Sequence, residues 1–299
     1  MVSRKIIIIL YLLILNAGLV SAQTLNVGQG QAYSTIQSAI DAAKNGDTIL
    51  VGEGTYNENP LIKTSGISII GKNKENTILE GGKSSSGIKI DMVNNVVLSG
   101  FTIRNSGAGG SQDAGITIYK GIDNTVSNMN IFSNTVGISI YQDSNNNVIS
   151  GNDIESSYGS YGYGVYIYAS NDNKIFNNNI KNNKIGIYAY SAKTNRIYSN
   201  NLIDNNNQAY DNSGLNSWDF DKTGNYWSDN KGSSEYVITL GGKNVKDNFP
   251  LKSAISIRPE PVATQPAPIG SEAAKSTPGF TVFASIISLI AIGIFRMKR

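Results

Sequence analysis

Residues Gly137–Ile154 read GISIYQDSNNNVISGNDI. In "GISIY" apolar and polar residues alternate with the period of two that marks a half-buried strand, and no helical period fits so short a run. Asn and Ser then break the alternation, and apolar residues return at Ile149 and Ile154.

The arrangement recurs along the chain. Gly87-Ile88, Gly115-Ile116, Gly137-Ile138, Gly164-Val165 and Gly186-Ile187 open successive units, with Gln208-Ala209 as a degenerate sixth. The intervals are 28, 22, 27, 22 and 22 residues, a fixed period of about 22 with two insertions. A second column follows at Leu98, Val126, Ile149, Ile175 and Ile197, and a third at Ile103, Ile131, Ile154, Ile180 and Leu202. Such a period marks a solenoid whose coils each give short strands to parallel sheets, stacked at the ~4.8 Å spacing of paired strands.

Asn outnumbers even Gly, and the repeat gives it a mechanical role. Asn124, Asn147, Asn173 and Asn195 each stand two residues before the second column; Asn152, Asn178 and Asn200 form another file. Both are expected to stack coil on coil at corners, adopting left-handed backbone, with each amide bonding to those above and below. N-terminal to the coils, an amphipathic helix is expected over about Ser34 to Lys44, with Ser34 as N-cap and Asn45-Gly46 as its stop. It would cover the apolar core and sheet edge that an uncapped solenoid exposes.

Composition narrows the function. The 299 residues include no Cys and no His, and 16% are charged while 40% are hydrophobic. That is a chain with a core, without disulfides and without the ligands that hold copper or zinc. Of the net charge of +3, five positive charges belong to Arg4, Lys5, Arg296, Lys298 and Arg299, which leaves about −2 for the rest. No basic stripe remains for a nucleic acid.

The two ends read as addresses. Residues 1–22 have the basic start, apolar run and small-residue end of a secretory signal peptide. Residues 23–252 are the solenoid with its C-terminal cap, and 253–277 form a Pro-rich linker. The final stretch, 278–299, opens on Pro278-Gly279-Phe280, continues as an apolar run to Phe295 and ends in basic residues. It resembles the PGF-CTERM sorting tails of archaeal surface proteins, which implies an extracellular, membrane-tethered protein; a permanent single-span helix would give the same address.

"YSTIQSAIDAAKNGDTILVGEGTYNE", the Gly-Ile/Asn coils, "GNYWSD" at Gly224–Asp229 and "DNFPL" at Asp247–Leu251 together resemble the NosD-like proteins of the pectin-lyase fold, especially those on archaeal surfaces. The resemblance spans about residues 24 to 251. It implies an all-β, right-handed, single-stranded parallel β-helix with an N-terminal capping helix. An acidic, glycine-rich stretch common in that family is replaced here by KGSSEYVITLGGKNVK, and the copper role attached to the family name finds no His or Cys ligand.

In "G-I-x-I-Y" the apolar residues point inward, so x and Tyr point outward. Tyr119, Tyr141, Tyr168 and Tyr190 form one outer column; Thr117, Ser139, Tyr166, Tyr188 and Tyr210 form the next. These seven tyrosines are the candidate ligand platform, because flat rings with a hydroxyl suit sugars or an amphipathic partner. Sheet propensity alone also favours Tyr. Both insertions, around Ser106–Asp113 and Glu155–Gly162, follow the third column and should wall this floor from one corner.

Catalysis has a thinner basis. Asp113, Asp143, Glu155 and Asp172 lie on corners, but no pair stands in the register that glycoside hydrolysis requires, and no catalytic residue is assigned. Asp219 and Asp221 in "DFDKTGN" have the spacing of a calcium loop without its terminal Glu, and a turn leading into Trp227 fits as well. No cofactor is expected. Two readings stand: non-catalytic binding of polysaccharide or another envelope component, or a polysaccharide lyase or glycoside hydrolase.

Overall fold

The computed structural model describes residues 21–107, 110–155 and 157–257. The coil quoted above holds three strands, Val136–Tyr141, Val148–Ser150 and Asp153–Glu155. Each runs parallel to its equivalents in adjacent coils. Ile138 lies between Ile116 and Val165, Ile149 between Val126 and Ile175, and Ile154 between Ile131 and Ile180. Three parallel sheets result. The first (containing Val148–Ser150) and the second (Asp153–Glu155) have eight strands each, and the third (Val136–Tyr141) has seven. Their inner Ile and Val side chains form one continuous, fully buried core. The protein is a parallel β-solenoid of about eight turns, as its period requires.

The Gly of each Gly-Ile pair has a steric cause. A Cβ on Gly164 would lie 2.6 Å from the Gly186 carbonyl oxygen and 2.7 Å from Ile180 Cγ2. Gly87, Gly115 and Gly137 meet the third-column Ile of their own units in the same way. The backbone turns here over the third column, so only glycine lets it pass that close.

The asparagine files exist, with one correction. Asn124, Asn147, Asn173, Asn195 and Asn216 form one ladder in which each Nδ2 donates to the next Oδ1 at 2.8–3.1 Å. Asn152, Asn178, Asn200 and Asn225 form another, at 2.9 Å. Every rung is buried. The left-handed backbone, however, belongs to the residues just before them: Asp123, Asn146, Asp172 and Thr194 for the first ladder, and Gly151, Asn177 and Ser199 for the second. The turn residue swings the next side chain inward, where its amide replaces the strand bonds missing at a bend.

At the N-terminal end the helix runs Ile36–Ala42, shorter than expected, and Thr35 rather than Ser34 caps it by accepting from Ser38 N–H. Glu58 adds a cap from the following coil, accepting from Ile36 and Gln37 N–H at 2.8 and 3.0 Å. Ile36, Ala39 and Ile40 enter the core. At the other end two buried carboxylates hold two buried indoles: Trp218 Nε1 donates to Asp211 at 3.0 Å and Trp227 Nε1 to Asp247 at 2.8 Å. Burial pushes the Asp247 carboxyl above its usual range.

The chain does not leave the solenoid at Ser253. The peptide of Ile255 pairs with the Asn201 carboxamide through both N–H and C=O, at 2.9 and 2.8 Å. Most of residues 1–22, the linker beyond Ile257 and the Pro278-Gly279-Phe280 tail lie outside the described residues. Among those described, no helix is long and apolar enough to cross a membrane.

Candidate functional site

The third sheet turns its alternate side chains outward in register. Thr117, Ser139, Tyr166, Tyr188 and Tyr210 stand in one row, and Tyr119, Tyr141, Tyr168 and Tyr190 in the next. All seven predicted tyrosines therefore share one face. Tyr163, on the strand Tyr163–Tyr168, and Tyr161, in the adjoining loop, join them. Tyr163 stood outside the Gly-Ile-x-Ile-Tyr pattern because it precedes the Gly bend. Its signal was the uninterrupted "YGVYIY".

Exposure along this face is uneven, and here the outward reading needs correction. Tyr190 is 39% exposed, Tyr168 is half-buried and Tyr166 is only 7% exposed. Tyr166 forms a small exterior apolar cluster with Ala114 and Val136, flanked by Tyr141, Tyr163, Tyr168 and Tyr188. Burial raises the Tyr166 phenol above its usual range, and Ser111, in the first insertion, offsets this in part. The described parts of the insertions meet this face: Gln112 and Asp113 of the first lie beside Thr117, Tyr119 and Tyr141, and Tyr161 of the second meets Tyr163 edge-on at 6.1 Å.

Ring geometry changes what the face offers. Along the outer column the centroids are 6.1, 4.9 and 5.9 Å apart with interplanar angles of 26, 18 and 9°. Tyr188 and Tyr210 stack at 4.2 Å and 2°. Rings stacked coil on coil turn their faces toward one another, so solvent meets mostly their edges and hydroxyls. Desolvation first, then neighbouring phenols, push Tyr163, Tyr166 and Tyr188 above the usual range. These hydroxyls therefore stay neutral at ordinary pH. They can donate and accept hydrogen bonds but cannot serve as bases.

A recess of about 420 Å³ opens where the first insertion meets this face. Tyr119, Tyr141 and Thr117 form its floor, Gln112 and Asp113 one side, and Gln142 another. Thr117 donates to the Gln112 carbonyl at 2.6 Å, tying floor to wall. Lys89 enters from the preceding coil, paired with Asp91 at 3.0 Å and lying 4.9 Å above the Tyr119 ring. The result is an aromatic floor rimmed by amides, a carboxylate and hydroxyls.

The four corner carboxylates are scattered. Asp113 lines the recess, Asp172 lines a separate one on the first sheet, and Glu155 pairs with Lys181 at 2.8 Å on the second. Asp143 sits in the left-handed turn after Tyr141. The arrangement does not bring two of them together. At "DFDKTGN", Phe220 and Thr223 exchange backbone bonds across a tight turn, and Asp219 Oδ2 accepts from Asn248 twice at 2.9 Å. Among the described residues no three acidic side chains gather around a point fit for an ion.

A family model described as "Periplasmic copper-binding protein (NosD)" matches residues 21–232. Among solved structures, pectate lyase Pel9A aligns with a TM-score of 0.47 at 14% identity, covering 64% of this chain and 62% of that one. Pectin methylesterase from carrot gives 0.42 at 16% identity, covering 63% and 67%. An alginate lyase from Paenibacillus sp. gives 0.41 at 16%, covering 64% and 77%. No curated protein matches by sequence. The copper of the family description meets no suitable donor set here. His and Cys are absent from the chain; Met129 is buried in the core, and Met92 is exposed on a turn with no soft partner among the described residues. Copper selects thiolate, thioether or imidazole ligands, and these residues do not fit it.

Proposed function

We propose, from the premise that this chain belongs to the NosD family, that it is an envelope protein whose tyrosine face binds a polysaccharide or another envelope component without transforming it. The family is described as periplasmic, which supports an envelope location. The observation that carries the reading is the stacked tyrosine column running into the recess beside Asp113 and Gln112. A rigid row of phenol edges presents hydroxyls at coil spacing, and planar amide and carboxylate groups beside an aromatic floor suit a polyhydroxylated chain.

A glycan array probed with the full-length protein is expected to yield a ligand. Tyr119→Ser combined with Asp113→Ala should then weaken it about tenfold or more, since each removes a hydrogen-bonding group worth on the order of 0.5–1.5 kcal/mol. Tyr166→Ser should act mainly on stability, because that ring is buried among Ala114, Val136 and the neighbouring tyrosines. Unchanged affinity in the Tyr119/Asp113 variant would end this reading.

The address is part of the same proposal. The signal-like 1–22 and the Pro278-Gly279-Phe280 tail support export followed by tethering at the cell surface. Intact mass of protein extracted from native membranes should lack the segment after that tripeptide; recovery of Arg299 would show that the tail is retained.

A further inference from the structure

The first sheet carries a feature that its packing does not explain. Lys174 and Arg196 are exposed and directly opposite one another in register. Two cations facing one another on neighbouring strands repel. Elsewhere the solenoid avoids this. Arg104 stands opposite Glu80 and Lys181 opposite Glu155, each in an ion pair. Lys174 and Arg196 have no such ion pair among the described residues, although Asp172 lies in the same recess.

That recess measures about 640 Å³ and also takes in the side chains of Thr194, Asn146 and Ser217. Arg196 is held in place by the Phe220 ring, 4.7 Å from the guanidinium carbon. Phe220 in turn continues an aromatic column through Tyr198 to Phe176, at 5.3 Å per step. A guanidinium lying over a ring keeps its N–H edge free and oriented, which suits forked recognition of an oxyanion. A local rule broken where two cations share a recess, one of them fixed, points to a charge supplied from outside.

We infer that Lys174 and Arg196 form an anion site for a phosphate, sulfate or carboxylate group, on a different sheet from the tyrosines and independent of them. The ligand's negative charge removes the repulsion between the two cations, so binding and stability are coupled.

The test is the thermal midpoint of the full-length protein, of Arg196→Gln and of Lys174→Gln, in low salt. Inorganic phosphate is titrated against sodium chloride of equal ionic strength. Phosphate at ten times its dissociation constant should raise the wild-type midpoint by about 3–5 °C beyond the chloride control. Both variants should start at or above the wild-type midpoint and gain nothing beyond chloride. A galacturonic acid oligomer distinguishes the source: an equal shift at tenfold lower concentration assigns the site to a polymer-borne carboxylate, and a weaker response assigns it to free phosphate. An equal phosphate response in wild type and Arg196→Gln overturns the inference, as does a lower starting midpoint in both variants.

Discussion

Asn173→Ala is expected to cost about 3–5 kcal/mol, as much as truncating a core isoleucine. The sequence placed Asn173 at a corner, where losing its amide would cost on the order of one hydrogen bond. In the fold it is fully buried and makes four. Its Oδ1 accepts from Asn147 N–H and Nδ2 at 2.8 and 3.0 Å, and its Nδ2 donates to Ser144 O and Asn195 Oδ1, both at 2.9 Å. Alanine strands the Asn147 amides and the Ser144 carbonyl away from water, at ~1–3 kcal/mol for each orphaned group. The break sits mid-ladder, so coils on both sides lose their registration. The shift in urea midpoint relative to the exposed control Asn206→Ala measures it. A loss no larger than the control's would mean that the ladder is a consequence of stacking and not a cause.

Asp247→Ala is expected to open the C-terminal cap at a comparable cost, about 3–4 kcal/mol. Its carboxylate accepts from Asn225 N–H at 2.7 Å, Trp227 Nε1 at 2.8 Å and Phe249 N–H at 3.0 Å. Truncation leaves three donors without an acceptor in the cap, two of them on residues that are themselves buried. Trp227 is 1% exposed and stacks on Tyr236 at 4.0 Å. Its fluorescence should therefore shift to the red in the variant well before the coils melt. Amide exchange should rise over about residues 218–251 while the Ile140–Ile167 region stays protected. Unchanged emission would show that packing against Trp218 and Tyr236 holds the indole without the carboxylate.

The coil can be read from the residue spacing. A solenoid core is built from residues one period apart, so Ile138, Val165 and Ile187 declare their stacking through spacing alone. The same spacing brought the Asn ladders and the seven tyrosines into single files. Alternation tells which side of a sheet a residue takes, because side-chain direction is a property of the strand.

What lies on that side is another matter. Tyr166 and Tyr168 have the same pattern, yet only Tyr166 is buried, packed against Ala114 and Val136, because those contacts are set by segments dozens of residues away. Left-handed geometry went to Asp172 and not Asn173, since the turn has to aim the amide into the core. Asp247 reaches Trp227, and Glu58 caps Ile36, across gaps of about one coil that no local pattern marks. The placing of Lys174 and Arg196 side by side was legible in the spacing, since each precedes a second-column isoleucine; what the spacing could not show is that Phe220 lies beside the Arg196 guanidinium. These contacts depend on which chain segments meet after the coils have stacked, and spacing does not carry that.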